Sequence, residues 1–199
     1  MRRLISRRLE ESAQIMGMLA ENKVVEITQM AKLVTSAYRS GRKVVLCGNG
    51  GSAADAQHIA TEFVGRFYLD RPAFPAIALT ADTSLLTALG NDLGFEHVFS
   101  RQVEALVDKG DVFIGLSTSG KSANIIAAMR AAANKGAVTI ALTGAGGGSM
   151  SSVSALLLAV PSEDTPRIQQ AHIAIAHIVC ELVEKEMTDI GNSTLGDEQ

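Results

Sequence analysis

Five short runs of apolar, often β-branched residues constrain the fold of this chain more than any other feature. The runs are Lys43–Gly48, Ala76–Thr80, Asp111–Ser117, Ala137–Gly144 and Ala155–Val160. Because they are continuously apolar rather than alternating, they are typical of strands buried on both faces of a parallel sheet. Helix-like segments separate them. The sequence therefore predicts an α/β fold, a three-layer sandwich with a five-stranded parallel sheet flanked by helices.

Helical patterns fill most of the remaining chain. Residues 1–40 predict two N-terminal helices, and Gly41 ends the second one. Later helices are predicted at Ser52–Phe67, Thr83–Leu89, His97–Val107, Ser122–Lys135 and Pro166–Met187. No linker or internal repeat interrupts this pattern. We expect a single domain, with the α/β core over residues 41–188 and a polar, frayed tail over residues 189–199.

Composition narrows the class of protein. The chain has 199 residues, of which 47% are hydrophobic, enough for one domain with a sizeable core. The net charge of −3 disfavours general nucleic-acid binding, and no apolar run approaches the roughly 18 residues of a membrane span. Cys47 and Cys180 form no CxxC pair, so we interpret both as small core residues. These features predict a cytoplasmic protein with no nucleic-acid and no membrane partner.

The last predicted helix carries more apolar surface than one small domain can cover. Its segment RIQQAHIAIAHIVCELVEKEM is apolar around most of its circumference, as are parts of the N-terminal helices. Packing these helices against other copies of the chain would bury that surface. We therefore expect a homo-oligomer.

The loop after the first strand is a candidate binding site, because ligands of open parallel sheets bind at the carboxyl ends of the strands. It reads GNGGSAADAQH, in which Gly48, Gly50 and Gly51 permit close backbone approach at a helix N-terminus. The spacing matches neither the GxGxxG dinucleotide pattern nor a P-loop. A plain strand–helix turn needs fewer glycines, so ligand contact is the favoured interpretation.

The loop after the third strand predicts a phosphate site. In STSGKS, Ser117, Thr118, Ser119 and Ser122 crowd one helix start. Hydroxyl groups and free backbone N–H groups are suitable donors for a phosphate dianion. A simple helix cap needs only one hydroxyl. The glycine-rich TGAGGGSM segment after the fourth strand has fewer hydroxyls, and we interpret it as a structural turn.

His58 and Glu62 are four residues apart, so they share one face of a helix. Their neighbours are mostly apolar, which favours a buried acid–base or metal pair, although a surface pair fits the local pattern equally well. His172 and His177 lie among alanine and isoleucine on the last helix. From these residues alone, both are interpreted as core histidines.

Together, these motifs resemble the sugar isomerase (SIS) domain superfamily. They are GNGGSAADAQH, the His58–Glu62 spacing, AIALTADTSLLTALGNDLGFEHVFSRQVEAL, GDVFIGLSTSGKSANI and the last-helix segment. The resemblance covers about residues 3–188 and is to members that act on seven-carbon sugar phosphates. It implies an aldose–ketose isomerase that converts sedoheptulose 7-phosphate to D-glycero-D-manno-heptose 7-phosphate by enediol proton transfer, for lipopolysaccharide biosynthesis.

The resemblance also implies the roles of individual residues. The catalytic pair falls on Glu62 as base and His177 as acid. Substrate contacts fall on Asn49, Gly50, Gly51, Asn91, Asp92, Ser117, Thr118, Ser119, Ser122 and Gln169. Metal ligands fall on His58, Glu62, Gln169 and His177, for one Zn²⁺ per subunit. The implied assembly is a homotetramer with active sites between subunits.

Two aspects of this implied site conflict with simple chemistry. An imidazole nitrogen on zinc cannot also donate a proton, so either the metal acts as the Lewis acid or the ligands exchange during turnover. Gln169 and His177 are also separated by roughly 12 Å along one helix axis and point about 80° apart. Their convergence on one ion requires either a neighbouring subunit or a helix start that is not straight.

Two other functions compete with this one. A non-catalytic SIS protein that binds a DNA-replication initiator is disfavoured, because His58, Glu62 and His177 are all present. A SIS isomerase or sensor for another sugar phosphate fits the same phosphate loop.

Overall fold

The computed structural model describes the backbone of residues 1–194 and the side chains of residues 1–188. It forms a three-layer α/β sandwich around a five-stranded, all-parallel sheet, as predicted. The strands are β1 (Val44–Gly48), β2 (Ala76–Ala78), β3 (Val112–Ser117), β4 (Val138–Thr143) and β5 (Leu156–Ala159), in the order β2-β1-β3-β4-β5. The sheet order places β1 and β3 side by side at its centre.

Seven α-helices within the described residues surround the sheet. They are α1 (Arg2–Asn22), α2 (Val24–Arg39), α3 (Gly51–Val64), α4 (Thr83–Asp92), α5 (Ser100–Leu106), α6 (Ala123–Asn134) and α7 (Thr165–Thr194), with 3-10 turns at Phe95–His97 and Gly148–Ser152. The predicted helix over His97–Val107 is therefore wrong at its start, where a 3-10 turn precedes α5. None of these helices is long and apolar enough to span a bilayer.

The C-terminal ends of three helices differ from the sequence prediction by three residues or more, and one of them is that of α4, which ends at Asp92 rather than Leu89. α3 ends at Val64 rather than Phe67, because Gly65 terminates it. α7 continues to Thr194, past the predicted end at Met187, since no proline interrupts the sequence there. The helix therefore extends into the segment predicted to be a tail. Residues 195–199 of that segment lie outside the described part of the chain.

The three inner strands β1, β3 and β4 are buried on both faces, which explains their uninterrupted apolar sequence, whereas the edge strands β2 and β5 are partly exposed. Leu46 and Ile114 face the core layer formed with α1, α2, α3 and α7, whereas Val45 and Phe113 face the layer formed with α5 and α6. The cysteines Cys47 and Cys180 are both free and buried, as interpreted from the sequence.

Candidate active site

The loops after β1 and β3 meet because these strands are neighbours in the sheet, with Gly48 paired to Leu116. A reciprocal pair of amide hydrogen bonds joins the loops. Asn49 Nδ2 donates to Asn124 Oδ1, and Asn124 Nδ2 donates to Asn49 Oδ1, each at 2.9 Å. Asn124 is buried at the start of α6 and was not identified from the sequence, because its role depends on a partner 75 residues away.

Glycine is required in the loop between β1 and α3. Gly50 adopts φ 55° immediately before α3, a left-handed conformation that favours glycine. At Gly48, a Cβ would lie only 2.4 Å from the Ser52 carbonyl oxygen. The glycines therefore let the chain turn tightly from the strand into α3. Gly51, the first residue of this helix, is exposed, and the Gln169 amide packs against it.

The serine-rich loop after β3 gathers its hydroxyl groups at the N-terminus of α6. Ser117 Oγ lies 2.9 Å from Ser122 Oγ and 3.4 Å from Ser119 Oγ, and Ser119 Oγ accepts the Lys121 N–H at 3.2 Å. Thr118, in the same loop, is half-buried. Hydroxyls clustered at the positive end of a helix dipole are suited to binding an anion, which is the role predicted for this loop.

The TGAGGGSM segment supports this loop from behind. Gly144 N–H donates to the Thr118 carbonyl and Met150 N–H to the Gly120 carbonyl, both at 3.0 Å. A Cβ at Gly120 would lie 2.2 Å from the Gly147 carbonyl oxygen, so the two backbones are in direct contact. These contacts agree with its interpretation as a structural turn.

His58, Glu62 and His177 form a cluster where α3 packs against α7. His58 Nε2 lies 3.0 Å from Glu62 Oε1 and 3.4 Å from His177 Nε2. One ligand atom from each residue lies within 4.8 Å of the other two. Imidazole nitrogen and carboxylate oxygen are donors that Zn²⁺ accepts, so the donor set fits this metal.

The cluster is more open than the sequence suggested. The His58 side chain is 47% exposed and that of Glu62 is 20% exposed, so the pairing is confirmed but His58 is not buried within one chain. His177 is half-buried and faces His58, so its interpretation from local sequence as a core residue is wrong. The apolar sequence around it could not show that α3 would supply polar partners.

His172, by contrast, is a core histidine as interpreted. It is fully buried, with Nε2 3.1 Å from the Thr143 carbonyl oxygen. Burial lowers the pKa of His172 to about 4, although the hydrogen bond with Thr143 opposes this shift. The imidazole is therefore neutral at physiological pH, with Nε2–H donating to Thr143.

Gln169 lies at the opposite end of the α3–α7 contact. Its amide packs against Gly51 in the first turn of α3, whereas His58 is roughly 10 Å further along that helix. α7 begins at Thr165 and is continuous past His177, so a distorted helix start does not bring Gln169 and His177 together.

Asn91 and Asp92 lie at the end of α4 and are exposed. Asn91 Nδ2 donates to Asp92 Oδ1 at 2.7 Å. Among the described residues, no hydrogen bond joins this pair to the serine-rich loop or to the histidine cluster. Among the described residues, the expected site residues thus form separate hydrogen-bonded groups within one chain.

A known protein family matches this chain. The SIS domain family model matches residues 9–144, which is most of the chain, and it covers both loops and the His58–Glu62 pair. The fold and the serine-rich loop agree with this match. The chain belongs to the SIS domain family.

Several phosphoheptose isomerases are similar to this chain over nearly its whole length. Phosphoheptose isomerase of Sulfurimonas denitrificans is 50% identical over 189 residues, covering 94% of this chain and 97% of the relative. That of Geobacter sp. (strain M21) is 53% identical over 188 residues, covering 94% and 98%. The solved phosphoheptose isomerase from Neisseria gonorrhoeae superposes with a TM-score of 0.87 at 42% identity, covering 92% and 98%. Within the SIS family, the chain belongs to the phosphoheptose isomerases, which makes it an isomerase enzyme.

Proposed function

We propose that this chain converts sedoheptulose 7-phosphate to D-glycero-D-manno-heptose 7-phosphate, with Glu62 and His177 as its acid–base pair. The cluster of His58, Glu62 and His177 carries the proposal, because ionisable groups of α3 and α7 meet there and α3 starts at the loop that Asn49 and Asn124 join to α6. Such an isomerisation moves a proton between C1 and C2 through an enediol, which requires a base at carbon and an acid at oxygen.

The serine-rich loop holds the phosphate end of the substrate. Ser117, Thr118, Ser119 and Ser122 supply hydroxyl donors, and the N-terminus of α6 supplies the favourable dipole. Binding energy from this remote group positions the reacting carbons. Asn49, Gly50 and Gly51, in the loop joined to α6 by Asn124, contact the sugar.

The reacting end of the sugar lies at the histidine cluster. Glu62 takes the proton from carbon and returns it to the neighbouring carbon, while His177 serves the oxygens on the opposite side. His58 lies between them, within hydrogen-bonding distance of the Glu62 carboxylate. Asn91, Asp92 and Gln169 orient the sugar hydroxyls.

A zinc ion fits the same donors. His58, Glu62 and His177 would hold it, and Gln169 of a neighbouring subunit would complete the set. When bound, Zn²⁺ supplies Lewis-acid stabilisation of charge on the sugar oxygens.

The assembly that we propose is a cytoplasmic homotetramer with active sites between subunits, supplying heptose for lipopolysaccharide. An apolar groove of about 500 Å³ between α1, α2 and α7 supports the assembly, and Ile178 and Leu182 on its rim are exposed in the single chain. The exposed Asn91–Asp92 pair supports sharing of the site. Light scattering of the purified protein tests for four copies.

The activity is tested by supplying sedoheptulose 7-phosphate and following aldose formation. We expect activity in the native chain and a loss of about 10²-fold or more in kcat for Glu62→Gln and His177→Ala. Glu10→Gln and His97→Ala, both exposed and not members of the three-residue cluster, serve as controls. An inactive native chain, or full activity in both variants, would contradict the proposal. If the native chain converts a different ketose phosphate but not sedoheptulose 7-phosphate, the proposed substrate is wrong.

A further inference from the structure

Arg71 and Glu184 form a buried ion pair that the proposed chemistry does not use. Arg71 Nε lies 2.9 Å from Glu184 Oε1, and each side chain is only 2% exposed. Burying two charges costs desolvation energy that offsets much of their attraction, so stability alone is a weak explanation for this ion pair.

Glu184 holds the segment that follows α3. Its carboxylate accepts hydrogen bonds from three consecutive backbone N–H groups. They belong to Phe67, Tyr68 and Leu69, at 3.0, 2.7 and 2.9 Å. Although burial alone would raise it, these bonds and Arg71 lower the pKa of Glu184, so the carboxylate is charged. One side chain of α7 therefore fixes the backbone of this segment.

Arg71 holds the C-terminal end of α3 itself. Its guanidinium donates to the carbonyl oxygens of Glu62 and Phe63, each at 2.9 Å, and stacks over the Phe74 ring at 3.9 Å. These carbonyls lie in the last turn of the helix, where no further helical N–H is available to them. The residue proposed as the base is thus restrained through its own backbone.

The restrained segment also reaches His177. The centroids of the Phe67 and His177 rings are 5.6 Å apart, and the His58 ring lies 5.1 Å from that of His177. His177 therefore lies between an aromatic ring, set in place by Glu184, and its polar partner. A side chain packed between two neighbours has fewer accessible rotamers, and active-site groups lose rate when displaced by about 1 Å.

We infer that Glu184 and Arg71 are positioning residues for the acid–base pair, acting through the backbone of Glu62 and the ring of Phe67. The inference rests on the proposed function, because it assigns the pair's purpose to Glu62 and His177. Among the described residues, no hydrogen bond joins the serine-rich loop to Arg71 or Glu184, so we expect the two residues to affect kcat more than KM.

Four variants test this inference: Glu184→Gln, Phe67→Leu, the double variant, and Phe113→Leu as control. Phe113 is a fully buried phenylalanine on the opposite face of the sheet, so its replacement disturbs packing without touching the site. We expect kcat to fall about tenfold in Phe67→Leu and at least as much in Glu184→Gln, with KM within about twofold of native. Phe113→Leu lowers the melting temperature but leaves kcat unchanged.

The double variant separates a positioning role from general weakening. If Glu184 acts through Phe67, the double variant is no slower than Glu184→Gln alone, because the two changes are not additive. Additive losses, native kcat in the folded single variants, or an equal kcat loss in Phe113→Leu would each overturn the inference. Should Glu184→Gln not fold, native kcat in Phe67→Leu overturns the inference, because the ring contact through which Glu184 is inferred to act would then have no effect.

Failure of the proposed function gives a different result. Full activity in Glu62→Gln and His177→Ala would overturn both proposals. Loss of activity in those two, with native kcat in Phe67→Leu and Glu184→Gln, overturns the positioning role alone.

Discussion

Gln169 packs directly against Gly51, so closely that a Cβ at position 51 would lie 2.5 Å from Gln169 Nε2. Glycine at the first position of α3 therefore makes room for the amide of α7. Because the obstructing atom is the end of a flexible side chain, a larger residue at 51 would displace Gln169 rather than break the backbone. A substitution of Gly51 is therefore expected to change substrate binding without lowering the stability of the fold.

We expect Gly51→Ala to lower kcat/KM about tenfold while leaving the protein as stable as native or slightly more so. Alanine has the higher helix propensity, by about 1 kcal/mol in a helix interior, which is an upper limit at this first position, whereas the amide is displaced from its proposed contact with the sugar. Steady-state kinetics and thermal unfolding of the same samples test both effects. Gly17→Ala in α1, where a Cβ meets nothing within 4 Å, is the matched control and should change stability only. Unchanged kinetics in Gly51→Ala would argue against a role for Gln169.

Ser119→Ala should raise KM about tenfold with little change in kcat. Its hydroxyl is one of the donors at the α6 N-terminus, and a hydrogen bond to a charged group contributes about 1.5–3 kcal/mol. Inorganic phosphate should protect the native chain against thermal unfolding more than it protects the variant. Ser6→Ala on α1 is the control. A kcat loss at constant KM would place Ser119 in the chemical step instead.

His172 predicts a dependence of stability on pH. Its pKa is about 4 in the folded chain, against an ordinary value of 6.5, so the unfolded chain takes up the proton first as the pH falls. This contribution to stability is complete above pH 6.5 and declines towards pH 4, by at most about 1.4 kcal/mol per pH unit. In His172→Gln, which keeps a donor for Thr143, the decline in the free energy of unfolding should be shallower. Denaturant titrations at several pH values measure it, with exposed His97→Gln as control; parallel curves for native and His172→Gln would contradict it.

Zinc binding should depend on His58. We expect calorimetry to detect one Zn²⁺ site per chain in metal-free native protein and at least about tenfold weaker binding in His58→Ala, because one of three clustered donors is lost. His97→Ala, which removes an exposed imidazole elsewhere, should bind as the native chain does. Equal affinity in His58→Ala would exclude this cluster as the metal site.

The sequence predicts well those parts of the structure that depend on residues close together along the chain. Strands such as β3 have no polar face, so their burial can be read directly from the residues. Likewise, His58 and Glu62 meet because a four-residue spacing on a helix brings side chains together. The hydroxyls of Ser117 and Ser122 meet within one short loop.

What the sequence does not reveal depends on partners distant along the chain. His177 looks like a core residue until α3 places His58 beside it, 119 residues away. Arg71 and Glu184 are 113 residues apart, and neither lies in a recognisable motif. Asn124 follows the serine-rich loop, but only the pairing of β1 with β3 turns it towards Asn49. Resemblance to a family predicts a catalytic role for His177, whereas the local pattern alone predicts a core residue.

The contacts between α3 and α7 require a particular number of residues between positions 169 and 177, as well as particular side chains. Gln169 meets Gly51 and His177 meets His58, so the two helices run side by side in the same direction across the site. One residue inserted between 169 and 177 would advance the later part of α7 by about 1.5 Å and rotate it by about 100°. Either contact could then form, but not both. Substitutions between residues 169 and 177 should therefore be tolerated far more easily than the insertion or deletion of a residue there.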